Sequence, residues 1–340
     1  MCLTRKQLLL VVKSVLAAVI VGAVGWQFAR TLRSPELWEH EFSVRHEYLI
    51  PAGFLYLAAH TLWGTFWWQL LRSQGAHVPW IVGIRAYFVS QFGKYVPGKA
   101  WVLVLRVGLL HGYGLSPATV AVTATYETLT SMAAGALLGI CLLPWAGNGV
   151  GIQLDSGQGV ALIGIAGLPL ALGLLNRATA RIAARRRGPD ARPLPSPSLR
   201  LLAQGLLQDT AGWCLLGLSL WLTVRGLTGG DIPMNTLVFL QDLAAVSLAY
   251  VAGFVVLVSP GGLGAREFVL QQVLSPQLVP TAGAAADGLA VVIALVLRLV
   301  WTLFEVACAG SLWMFARPMG DSITATKKPG HEKRQVTADG

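Results

Sequence analysis

The sequence predicts an all-α, polytopic membrane protein, and three observations carry that prediction. Hydrophobic residues fill 54% of the 340 positions and charged residues only 12%, about half the charged share of an ordinary soluble domain. The mean hydropathy is +0.60, and several apolar runs reach the roughly 20 residues that a bilayer crossing needs. Those runs are continuous rather than alternating, so their backbone groups are satisfied within helices and not in a barrel.

The first expected crossing spans about 7–28, after Arg5 and Lys6. A cleaved signal peptide is the rival reading of a charged start followed by an apolar run, although this run is long for a signal's apolar core. Further crossings are expected at about 48–71, 117–143, 159–175, 203–224 and 236–258, with a final long helix over 284–315. Two regions, near 90–110 and 259–280, are broken by Pro and Gly. They are expected to be re-entrant or discontinuous segments, giving about seven or eight transmembrane helices in all. Residues 1–318 form one membrane domain on this reading. The tail 319–340, without apolar periodicity, is expected to be disordered and cytoplasmic.

Orientation follows from the basic loop 176–200, which carries seven Arg against one Asp and is expected to face the cytoplasm. Counting back, the amino terminus lies inside, provided that 85–110 does not make a full crossing. Counting forward, the basic tail with Lys327, Lys328, Lys333 and Arg334 also lies inside if 262–280 crosses, and eight spans are favoured for that reason. The net charge of +10 is accounted for by these loops, with no nucleic-acid partner; contact with anionic lipid headgroups is a second use for them. Cys2, Cys141, Cys214 and Cys308 are scattered, with no spacing that suggests a zinc site or a disulfide framework.

The stretch "SQFGKYVPGKAWVLVLRVGLL", 90–110, combines a helix break at Pro97 and Gly98 with Lys94, Lys99 and Arg106. Proline removes a backbone donor and glycine weakens a helix, so one helical piece ends there and another begins. Broken backbone at membrane depth is tolerated only where it is buried in protein or lines a wet cavity. A helix starting near Gly98 would aim unpaired amides and its positive dipole end at such a cavity, and with the three cations this describes an anion pocket. The plainer reading is an interfacial helix whose lysines snorkel to headgroups, with Tyr95 and Trp101 as anchors.

A second break, "SPGGLGAREFVLQQ" at 259–272, has Pro260, Gly261, Gly262 and Gly264 before Arg266 and Glu267 open a helix. Paired interruptions in the two halves of a membrane protein point to a transport site built from discontinuous helices. A nucleotide-binding glycine loop is excluded by context, since no strand precedes it and no Gly-Lys-Ser/Thr follows. Direct ATP drive, any cofactor and any metal ion are therefore not expected. Arg298, Glu305 and Glu127 lie within expected spans, where charges are costly and mark a bundle interior, a partner or a pathway. Structural pairing, for instance of Arg298 with a carboxylate on another helix, is the plain alternative. Asp209 and Asp242 lie nearer span ends and are expected at the interface.

Taken in order, "GKYVPGKAW" with Arg106, then "SPGGLGAREFVL", then an intramembrane Arg298 in a helix that reaches Gly310, resemble the lysylphosphatidylglycerol synthase transmembrane region family, also called flippase-like domain proteins, over about 5–318. The resemblance implies a multi-pass protein of a bacterial cytoplasmic (inner) membrane with a role in the cell envelope. In fused members of that family the membrane module precedes a soluble aminoacyl-transferase domain and is taken to translocate the lipid product. That domain is not expected here, because the chain ends about twenty residues after the last expected span. The expected function is movement of a phosphate-bearing lipid, an anionic membrane lipid or a polyprenyl-phosphate-linked one, between leaflets, by passive scrambling or ion coupling. Headgroup binding is assigned to Lys94, Pro97, Gly98, Lys99, Arg106, Gly262, Gly264, Arg266 and Arg298. Glu127, Glu267 and Glu305 are the charge partners of the bases when the site is empty.

Two alternatives belong to other classes. A membrane glycosyltransferase using a polyprenyl-phosphate sugar donor would draw its acids from Glu36, Glu39, Glu41 and Glu47, with His40 and His46, in a loop whose irregular spacing also suits a plain solvated stretch. A non-catalytic membrane partner of an envelope lipid biosynthetic enzyme would dock through the Arg-rich loop and lose function on deletion of 181–197.

Overall fold

The structure is a computed structural model, and it describes residues 44–95, 100–146, 197–230, 235–255 and 264–315, with isolated positions at 29, 33 and between 163 and 177. Among the described residues there are eight α-helices, two 3-10 turns and no strand. The expected crossings at 7–28 and 159–175, most of the basic loop 176–200 and the tail 319–340 lie outside the described residues.

Helix α1 (His46–Ser73) covers the crossing expected at 48–71 and stops where Gly75 adopts φ 79°, a conformation that glycine takes without a Cβ penalty. After it come α2 (Trp80–Ser90), a 3-10 turn (Gln91–Tyr95) and α3 (Ala100–Leu109). At 11 and 10 residues, α2 and α3 are each only about 15 Å long, half the hydrocarbon thickness. The region 85–110 is thus divided rather than spanned by one helix. Helix α4 (Pro117–Ala146) opens on proline, whose missing N–H costs nothing at a first position, and Ser116 Oγ accepts from the Thr119 amide at 3.0 Å. Helices α5 (Leu199–Leu227) and α6 (Thr236–Val255) are capped by Ser198 and Asn235, which accept from the Leu201 amide at 3.2 Å and the Val238 amide at 2.8 Å. Helix α7 (Ala265–Ala282), a 3-10 turn (Gly283–Ala285) and α8 (Ala286–Phe315) complete the described chain.

Three helical stretches, Leu199–Leu227, Thr236–Val255 and Ala265–Met314, combine the length and the hydropathy needed to cross a membrane. Helices α1 and α4, with 28 and 30 residues, also exceed the roughly 20 residues that a crossing takes.

Helix α1 packs antiparallel along α5. Near one end the Arg45 amide donates to the Gly226 carbonyl at 2.9 Å, farther along Ser219 Oγ donates to the Ala52 carbonyl at 2.8 Å, and beyond that Trp63 Nε1 donates to the Asp209 carbonyl at 3.3 Å. The two helices approach closely because α5 offers glycines. A Cβ added at Gly205 would lie 2.2 Å from the Phe66 ring, and one at Gly212 would lie 2.3 Å from Trp63 Nε1. Lipid gives no hydrophobic drive for helices to associate, so close packing at small residues and interhelical hydrogen bonds carry the attachment. Glu267 opposite Arg298, and Ser275 opposite Asp287, make α7 and α8 an antiparallel hairpin. Aromatic rings fill the centre of the bundle: Trp63, Trp213, Tyr250, Trp301 and Tyr56 follow one another with centroids 5.1, 5.4, 5.7 and 5.2 Å apart, a range that favours edge and offset contacts.

Asp209 and Asp242, expected near span ends at the interface, are buried between helices. Both are 0% exposed, and neither carboxylate has a hydrogen-bond partner among the described residues. Helix α5 begins at Leu199, so Asp209 lies about 15 Å along it, in a turn packed on Trp63. Asp242 precedes Leu243, which meets Gly217 of α5, so a neighbouring helix covers that turn of α6 as well.

Candidate functional site

On α1, Tyr56, His60, Trp63 and Trp67 recur at helical spacing and are all buried, so they form one stripe directed at the bundle interior. Facing that stripe are Tyr87 of α2 and the 3-10 turn carrying Gln91 and Lys94. Val102, Leu103 and Arg106 of α3, the middle of α4 from Thr125 to Met132, and Tyr250 to Phe254 of α6 complete the wall, with Arg266 of α7. Together they enclose a cavity of ≈ 350 Å³, at the small end of the roughly 300–1,000 Å³ of small-molecule sites.

Among the described residues there are three ion pairs, two in or behind the wall and one where α7 meets α8. Arg106 Nη1 donates to Glu127 Oε2 at 2.9 Å, with side-chain exposures of 2% and 5%. Its guanidinium lies over the rings of Trp67 and Tyr87, 4.5 and 4.6 Å from their centroids, and its Nε donates to Ser90 Oγ at 3.1 Å. Burial of this charge is tolerated because a carboxylate, a hydroxyl and two π faces replace water around it. Lys94 Nζ donates to Glu305 Oε2 at 2.6 Å, and Tyr56 donates its hydroxyl to the same oxygen at 2.5 Å. Arg298 pairs with Glu267 Oε1, while Glu267 Oε2 accepts the Gly264 amide at 2.7 Å. That second bond closes the first turn of α7, where Gly264 sits at φ 91°.

Arg266 is held differently. Its guanidinium carbon lies 3.4 Å from the centroid of Tyr250. Among the described residues it makes no ion pair, and its buried Nε has no hydrogen-bond partner.

Of the residues singled out in the sequence, Lys94, Arg106, Arg266 and Glu127 line the cavity. Glu305 stands one bond behind Lys94, whereas Arg298, Glu267 and Gly264 form a separate cluster where α7 meets α8. Pro97, Gly98, Lys99 and Gly262 lie outside the described residues. His46 and Glu47 are exposed at the start of α1, and Glu36, Glu39, His40 and Glu41 lie outside the description. No group of three or more His, Cys, Asp or Glu able to hold a metal ion occurs among the described residues.

The aromatic part of the site was missed from sequence. His60, Trp63, Tyr87 and Tyr250 share the cavity with the bases, and the signal for the first two was present: a histidine within an apolar span, on one stripe with Tyr56, Trp63 and Trp67. His60 is fixed by a 3.1 Å hydrogen bond between its Nδ1 and the Tyr56 carbonyl.

Residues 11–318 match the family described as the lysylphosphatidylglycerol synthase TM region. The chain belongs to that family. The match takes in every described helix, both broken elements and the cavity. It makes this a membrane protein of a lipid-related family, in agreement with the apolar helices. No curated protein matches the sequence.

Proposed function

We propose that this protein admits the phosphate-bearing headgroup of a membrane lipid into the interhelical cavity and passes it between the leaflets of a cytoplasmic membrane. The observation that carries the proposal is the cavity itself: Lys94, Arg106 and Arg266, from three separate elements, converge on one space of ≈ 350 Å³ inside an apolar bundle. Cations so placed are expensive to bury and are retained where they serve a pathway or a ligand. The volume accommodates a headgroup and not acyl chains, so the chains remain in the lipid while the polar end travels.

Each residue has a part on this reading. Arg106, kept in place by Glu127, Ser90 and two rings, gives the pocket a fixed positive charge. Lys94, on a 3-10 turn and with 28% of its side chain exposed, is the base able to exchange Glu305 for a phosphate. Glu305 in turn keeps the lysine neutralised between cycles, with Tyr56 sharing the carboxylate. Arg266 meets the phosphate without first surrendering a carboxylate.

The test is lipid movement in proteoliposomes holding the purified full chain, with fluorescent lipids of different phosphate headgroups, comparing the wild type with Lys94→Gln. Headgroup-dependent movement that falls at least about tenfold in the variant supports the proposal, since one charged contact to phosphate is worth about 1.5–3 kcal/mol. Movement of no phosphate lipid by folded, inserted protein overturns it.

A further inference from the structure

The charges and ring faces of the cavity specify more than phosphate. Three cations, Lys94, Arg106 and Arg266, stand on its wall, and two carboxylates answer them: Glu127 on the wall and Glu305 behind Lys94. With His60 taken as neutral, the described site carries one surplus positive charge, located on Arg266. Glu267, the carboxylate beside Arg266 in the chain, is committed to Arg298 and to the Gly264 amide.

The π faces are committed as well. Tyr250 is covered by Arg266 at 3.4 Å and Tyr87 by Arg106 at 4.6 Å. Trp63 is packed against Trp213 and His60 at centroid distances of 5.1 and 4.9 Å. An ammonium group entering this space would meet three cations on the described wall, where the one lining carboxylate, Glu127, already pairs with Arg106 and where Tyr250, Tyr87 and Trp63 already carry partners. Like charges brought together in a partly dry site repel, and the usual aromatic recognition of a cation needs a free face.

Resting on the translocase reading, we propose that the site selects headgroups with one net negative charge and an otherwise uncharged, hydroxyl-bearing remainder, and that it rejects aminoacylated lipids, including the one for which the family is named. Arg266 on Tyr250 is the selecting residue, because its charge is the one left unbalanced. Gln91, Thr125 and Thr128 supply amide and hydroxyl groups on the same wall that suit a polyol remainder.

The experiment uses the full chain in proteoliposomes with three fluorescent lipids of identical acyl chains: phosphatidylglycerol, phosphatidylethanolamine and lysylphosphatidylglycerol. Their headgroups are anionic, zwitterionic and cationic in turn. The expected result is movement of the glycerol lipid at least about tenfold faster than either of the others, with the preference retained in Arg266→Lys and reduced to about twofold or less in Arg266→Gln. Equal or faster movement of the lysyl lipid or the zwitterionic lipid overturns the charge selection and leaves the translocase reading standing. Should none of the three move, binding in detergent micelles, read from tryptophan fluorescence, separates the two ideas. Preferential binding of the glycerol lipid then upholds the selection and overturns translocation, and absent or non-preferential binding overturns the selection as well.

Discussion

Removing the Glu127 carboxylate tests whether the charge at the centre of the site is held as tightly as its geometry implies. The Arg106–Glu127 pair has an N–O distance of 2.9 Å at 2% and 5% exposure. At an effective dielectric constant of ~20 its gross attraction is about 6 kcal/mol. Desolvation of both ions offsets much of that attraction, and removing one partner of such a pair costs ~3–5 kcal/mol because the other charge is left buried and unpaired. Glu127→Leu is therefore expected to destabilise the protein by about that amount, at the lower end because Arg106 keeps Ser90 and the faces of Trp67 and Tyr87. Arg106→Met combined with Glu127→Leu removes both charges, and the double variant is expected to be at least ~2 kcal/mol more stable than Glu127→Leu alone. Lipid movement should stay lost, since the fixed charge is gone. The measurement is a double-variant cycle of denaturant unfolding in one detergent, followed by tryptophan fluorescence, with proteoliposome transport alongside. A cost below about 1 kcal/mol for Glu127→Leu, or a double variant no better than the single, would refute the account of a dry, mutually dependent pair.

Two more outcomes follow from packing. Gly212→Ala gains helix propensity of ~1 kcal/mol, but its Cβ would stand 2.3 Å from Trp63 Nε1, and overpacking costs ~1–3 kcal/mol. A net loss of about 1 kcal/mol in detergent unfolding is expected, together with slower lipid movement because Trp63 lines the cavity; a stabilised variant with unchanged transport contradicts this. Asp242→Asn should leave the unfolding midpoint unchanged or raise it, because the side chain is fully buried with neither oxygen hydrogen-bonded among the described residues, so that the isosteric amide gives up no hydrogen bond. A lowered midpoint would show that the acid is engaged in a stabilising interaction.

Much of the fold was legible because hydropathy and chain punctuation act locally. Apolar runs at 48–71 and 284–315 became His46–Ser73 and Ala286–Phe315, lengthened or trimmed by about a turn or less where polar ends stay helical. The first region is divided at the 3-10 turn Gln91–Tyr95, a few residues before Pro97 and Gly98, and Gly264 stands at the start of α7, since a proline or a glycine run disrupts a helix whatever surrounds it. Partners were not legible. Lys94 meets Glu305 and Arg298 meets Glu267 through helix packing that no local spacing encodes. Counting along α8 places Arg298 and Glu305 on one face without saying that each serves a different element. The burial of Asp209 and Asp242 was not legible for the same reason, because distance from a span end does not tell which neighbour covers a turn. The α1 stripe of Tyr56, His60, Trp63 and Trp67 was readable from spacing, but its role depended on Tyr87 and Tyr250 arriving from other helices.

Each of the three ion pairs joins a short or proline-bearing element to a long helix: the 3-10 turn to α8, α3 to α4, and α7 to α8. A turn of 5 residues or a helix of 10 buries little apolar surface of its own, so charge fastens these pieces where grease fastens the rest. On the proposed function, the fastenings share their cations with the entering phosphate. A phosphate drawing Lys94 from Glu305 would compete with a rivet of the scaffold itself, so that recognition and local loosening would draw on the same atoms.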